Sequence, residues 1–174
     1  MGLTSGAALG QTDRDRAGQN VDRLPPAAFP ELPPDLRNDL EGRGCTIPKP
    51  MPWIESSNVV AGHFYSPDET DWAVLCSIDL ASTLLVFRGG DVGSVDSLGT
   101  APDVNYLERN GDGGIGFIRV ISAVDSTYIR NMYEGFGGPT PPPLDHEGLD
   151  EYTGKASVVH YWYDGKWLLL QGMD

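Results

Sequence analysis

From Val59 onward, short runs of β-branched and aromatic residues alternate with clusters of Asp, Asn, Ser, Pro and Gly. Val59–Phe64, Trp72–Ile78 and Leu84–Phe87 are too short for helices and rich in strand formers, so each predicts a strand. Ser94–Leu98 carries fewer strand formers and is a further candidate. Tyr106–Leu107 and Phe117–Val124 flank Asn110-Gly111-Asp112-Gly113-Gly114, whose residues tolerate positive φ and predict a hairpin. A second hairpin is expected from Ala156–Tyr163 and Lys166–Gln171 around Asp164-Gly165. There Val158, His160 and Trp162 alternate with Val159, Tyr161 and Tyr163.

Helical patterns are few. Pro33-Pro34 suits a first helical turn, and Asp35–Glu41 continues it with Leu36 and Leu40 on one face before Gly42 or Gly44 stops it. Ser126 can cap a helix over Thr127–Glu134, where Tyr128 and Met132, and Ile129 and Tyr133, stand four apart; Gly135–Pro143 breaks it. Leu24–Pro34 is proline-rich and expected to run extended. Without long helices between the strands, a parallel βαβ arrangement is disfavoured. Residues 24–174 are therefore expected to form one α+β domain. Its mostly antiparallel sheet would have about seven or eight short strands, with two short helices.

The first 23 residues read differently. Met1–Gln11 is small and apolar, and Ala8-Leu9-Gly10 sets small residues at the positions a signal peptidase requires. It reads as the end of a secretory leader, which predicts an exported protein, periplasmic or secreted. Thr12–Arg23 is polar and without aromatics, so a disordered tether is expected. Cys45 and Cys76 bear on the same point. In a reducing compartment they are small buried hydrophobes; in an oxidising one they pair, and the leader remnant favours the disulfide. Neither stands in a CxxC motif, which disfavours zinc and thioredoxin-type chemistry.

Charge narrows the partners. The 174 residues carry a formal net charge of −13. The first fifty hold seven acids against six bases, and the rest eighteen against six. The excess thus belongs to the β-rich body, where it disfavours nucleic acid and favours a cation or a partner protein or envelope component with a basic surface. No apolar run approaches the ~20 residues of a membrane span, so membrane insertion is not expected.

The densest cluster of functional groups is Leu144–Glu151. Asp145, Glu147 and Asp150, with Gly148 between them, match the second half of a calcium loop but lack its closing glutamate. His146 and Asp150, four apart, could share a face of a short helix capped by Asp145 and bind a transition metal. The plainer alternative is an acidic turn. Asp145, His146, Glu147 and Asp150 are accordingly the candidate ligands for a divalent cation, with His63 or His160 as further donors; no other cofactor is implied. No local motif nominates a catalytic serine or thiol. Tyr161, Trp162, Tyr163 and Trp167 are candidates for a binding surface, since aromatic rings combine contact area with a polar tip; core filling is the alternative.

Val59–Leu75, VVAGHFYSPDETDWAVL, resembles a single degenerate FG-GAP or VCBS-type repeat, with Gly62, Phe64, Asp71, Ala73 and Val74 on the pattern. The resemblance implies a strand–loop–strand. His63, Tyr65 and Pro67 stand where that family places oxygen ligands, so calcium is not implied at this loop. More broadly, the order RGC-x-IP, DWAVLCS, LDHEG and GKASVVHYWYDGKW is similar to exported bacterial proteins of about this length that have no assigned activity. Three functions are consistent with this reading. The first is a non-enzymatic exported domain that binds a partner protein or envelope component. The others are a metal-dependent hydrolase built on Asp145–Asp150 and an acidic inhibitor or immunity-type protein.

Overall fold

Two antiparallel meanders of four strands each, packed face to face, organise the chain. The computed structural model describes residues 10–109, 111 and 113–173. Residues 1–9 of the leader end expected over Met1–Gln11 therefore lie outside the described residues, as do Asn110 and Asp112 of the first hairpin turn.

The N-terminal layer holds α1 (Gln11–Gln19), β1 (Arg23–Leu24), α2 (Pro34–Gly42) and β2 (Ile47–Pro48), with β1 and β2 paired. Helix α1 stands where a tether was expected. Its Gly18 lies against Val104 and Leu107, so a helix with few apolar residues is held by tertiary contact, not by its own periodicity. Arg23 anchors the next turn, its Nη2 donating to Asp103 Oδ2 at 2.7 Å. Helix α2 follows the prolines as its sequence predicts. Leu36 and Leu40 are fully buried against Cys45, Val74, Leu85 and Phe87, each burial contributing about 1.5–3 kcal/mol.

The first meander runs β3 (Val59–Gly62), β4 (Asp71–Ile78), β5 (Ala81–Phe87) and β6 (Val95–Pro102) in order. Period-two alternation gives the central strands β4 and β5 two apolar faces. Val74, Cys76, Leu85 and Phe87 meet the N-terminal layer, while Ala73, Leu75, Leu84 and Val86 meet the second meander. Cys45 and Cys76 form a disulfide between the segment after α2 and β4, with Cα atoms 5.4 Å apart. At Gly99, φ +59°, β6 carries one extra residue: Thr83 faces Thr100 while Leu84 faces Leu98.

A small hairpin, β7 (Leu107–Arg109) and β8 (Ile115–Phe117), leads to the second meander. This is β9 (Val120–Val124), β10 (Gly148–Tyr152), β11 (Ser157–Tyr163) and β12 (Lys166–Gln171), with α3 (Ser126–Phe136) between β9 and β10. The run Phe117–Val124, expected as one strand, is split by Ile118-Arg119 between β8 and β9. The cap of α3 is Asp125, not Ser126: its Oδ1 accepts the Tyr128 N–H at 2.8 Å. The described residues thus hold three α-helices and twelve strands, more than the two and the seven or eight expected. The α+β class stands. The added strands are the two-residue β1 and β2, too short for any periodicity, β10, whose acidic sequence hides it, and the one gained where Phe117–Val124 divides into β8 and β9.

Charge-assisted hydrogen bonds from one arginine join the meanders. Arg119 is 1% exposed. Its guanidinium donates to Glu151 Oε1 at 2.7 Å, to Ser82 O and Oγ at 2.6 and 3.0 Å, and to Gly99 O at 3.1 Å. It also lies over the Tyr106 ring. His160 Nε2 completes the cluster at 2.7 Å from Glu151 Oε2. Breaking a buried pair from one side strands the other charge. Arg119→Met is therefore expected to cost about 3–5 kcal/mol in urea denaturation. Replacing both cysteines by serine is expected to cost about 3–4 kcal/mol in the same measurement, the loop-closure value for this separation.

Candidate functional site

One cleft of about 290 Å³ gathers much of the candidate chemistry, lined by His63, Pro67, Asp125, Ser126, Leu144, Asp145, His146 and Glu147. Three segments build it: the loop after β3, the start of α3, and the chain just before β10. Glu147 stitches two of them. Its N–H donates to His63 O at 2.9 Å, and its Oε2 accepts the His63 N–H at 2.8 Å. The loop beyond His63 is closed by Asp71, which is fully buried. Its Oδ2 accepts the N–H of Phe64 and of Tyr65 at 2.7 and 2.9 Å, and its Oδ1 that of Gly89 at 2.8 Å. Backbone amides, not an ion, thus fill that carboxylate.

The histidines have separate tasks. His63 Nδ1 lies 2.7 Å from Glu69 O, which requires the proton on Nδ1 and leaves Nε2 of the neutral ring as an acceptor. His146 stacks on Tyr161 with ring centroids 4.4 Å apart. Its ring nitrogens face Glu147 O at 2.9 Å and Trp162 O at 3.0 Å, fastening this segment to β11. His160 faces the interior between the meanders, on Glu151.

Of the four expected metal ligands, three line this cleft and the fourth, Asp150, does not. Asp145 projects into solvent with its side chain 75% exposed, and His146 and Glu147 are engaged as described. Asp150 points to the opposite side of β10, beneath α3 and the C-terminal residues. The short helix expected to carry His146 and Asp150 on one face is a non-helical segment entering β10, and an extended chain rising roughly 3.3 Å per residue keeps residues four apart from meeting. Among the described residues no three of His, Cys, Asp and Glu are grouped to hold a metal ion.

The aromatic candidates divide in the same way. Tyr161 is fully buried beneath α3, whereas Trp162 and Trp167 turn to the other face and pack edge-on with Tyr65. Trp167 Nε1 and Tyr65 Oη both donate to Asp96 Oδ2 at 2.8 Å. Tyr163 is 41% exposed. Strand alternation keeps the four from forming one surface.

The sequence reading missed Asp125 as a wall of the cleft and Arg119 as the buried cation. The signal for Arg119 was a lone charge inside the apolar run Phe117–Val124. Compared with known families, curated proteins and solved structures, the chain matches none.

The two acidic residues of β10 titrate with opposite sign. Burial opposes the charge on Glu151, but the His160 hydrogen bond and Arg119 outweigh it and hold the carboxyl below its ordinary range. Burial raises Asp150, partly offset by Ser157 and His160. Glu151 therefore contributes stability above its unfolded pKa that is lost as pH falls through the lower folded value. Asp150 contributes stability in its neutral form, complete below its unfolded pKa and lost as pH rises through the raised folded value. In melting curves recorded from acid to neutral pH, Asp150→Asn is expected to abolish the second loss and keep the first.

Proposed function

We propose that the chain is a non-enzymatic exported domain that binds a protein partner through a cationic group received in the His63–Glu147 cleft. One observation carries the reading: Asp125, Asp145 and Glu147 line the same cleft, with Pro67 and Leu144 as apolar walls and no Lys or Arg in the lining. Carboxylates with oxygens left over from structural bonds accept guanidinium or ammonium donors. The apolar walls suit the methylene stem of Arg or Lys. The −13 net charge favours encounter with a basic partner. The Cys45–Cys76 disulfide supports export, since such bonds persist in oxidising compartments.

Titration of labelled protein with N-acetyl-arginine amide tests this, with the neutral citrulline analogue as control. Arginine is expected to shift the amide resonances of His63, Ser126, Asp145 and Glu147, and citrulline is not. The effect weakens as ionic strength rises from about 0.01 M to about 0.15 M. Asp125→Asn combined with Asp145→Asn is expected to remove it. Shifts that are absent, or equal for both ligands, overturn the reading.

A further inference from the structure

The two meanders present four outer strands, β3, β6, β9 and β12. Three of them are occupied or blunted. β9 gives the Ile121 N–H to Asn58 Oδ1 at 3.3 Å and accepts Ser56 Oγ on Ile121 O at 3.0 Å. β3 lies along β9. β6 is interrupted by the Gly99 bulge and ends in Pro102, two devices that disrupt edge pairing. β12 has neither. Its sequence, Lys-Trp-Leu-Leu-Leu-Gln, contains no proline or glycine and one charge, at its start.

The hairpin turn fixes which way the backbone of β12 points. Asp164 and Gly165 have φ of 49° and 76°, a two-residue turn of the I′ kind. Tyr163 and Lys166 are then the closing hydrogen-bonded pair. Leu168 and Leu170 turn their N–H and C=O to β11, while Trp167 and Leu169 turn theirs outward. Among the described residues no turn, loop or cap backbone bond reaches Trp167 or Leu169. Leu169 is 59% exposed beside this edge.

We propose that β12 receives an extended segment of the partner as a fifth strand, paired to Trp167 and Leu169, with an apolar residue over Leu169 and Lys or Arg flanking it. The open backbone dictates the extended conformation. The flanking charge follows from the eighteen acids against six bases of residues 51–174. A second copy fits the backbone equally but carries the same negative excess. The inference rests on the basic partner proposed above and gives that partner its mode of docking.

The test uses an acetylated, amidated peptide of alternating valine and lysine, and the same peptide N-methylated at alternate residues. N-methylation keeps charge and side chains but removes strand donors. The plain peptide is expected to shift the Trp167 and Leu169 amides. The methylated one is expected to bind at least about tenfold more weakly, a loss one or two hydrogen bonds can account for. Leu169→Pro, which removes only an outward N–H, is expected to lose binding by a similar factor with its melting temperature nearly kept. Equal binding of both peptides overturns strand addition. Shifts confined to His63, Asp145 and Glu147 overturn it too, while leaving the basic-partner reading intact. No binding overturns both. Shifts at Trp167 and Leu169 on concentrating the protein alone assign the edge to a second copy and overturn the basic segment.

Discussion

A single buried guanidinium joins the two halves of this fold. Arg119 reaches from the entrance of the second meander to Ser82 and Gly99 in the first, and holds Glu151 of β10. Desolvating an arginine and a glutamate is expensive, and the arrangement survives because each charge finds several partners. The consequence is registration. Apolar side chains between two sheets tolerate sliding, whereas a planar guanidinium aimed at two carbonyls and a carboxylate does not. The meanders are held at one relative position, and the loops at their ends inherit it.

The candidate cleft depends on that placement. His63 leaves the first meander, Glu147 enters the second, and the backbone exchange between them brings the carboxylates of Asp145 and Glu147 toward Asp125 at the head of α3. None of the three acids belongs to a motif. Their convergence is a product of where two sheets end, which also explains why His146, adjacent in sequence, is spent on holding its own segment to β11.

Much of the fold was legible in the residues themselves. The strands β4 and β5, the β11–β12 hairpin and α2 follow from local alternation and turn residues, and the Cys45–Cys76 bond was expected from two cysteines beside a leader-like start. β10 was not, because Leu149-Asp150-Glu151 reads as an acidic turn. Its Glu151 lies in a central strand because Arg119 and His160 are there to satisfy it, and Arg119 stands 32 residues away in sequence. Helix α1 failed for a related reason: its polar sequence carries no periodic signal, and it is supported by Val104 and Leu107. Of the site, the Asp145–Glu147 segment was visible and its chemistry was not, since alternation sends Asp150 to the far side of the sheet.

Gly99 joins two properties usually assigned to different residues. Its left-handed backbone disrupts β6 as a pairing edge, and the same local turn offers its carbonyl to Arg119. Resistance to sheet-to-sheet aggregation and integrity of the interior thus share one backbone conformation. Neither can drift alone, so natural variation at this position would be constrained from the outside and the inside at once.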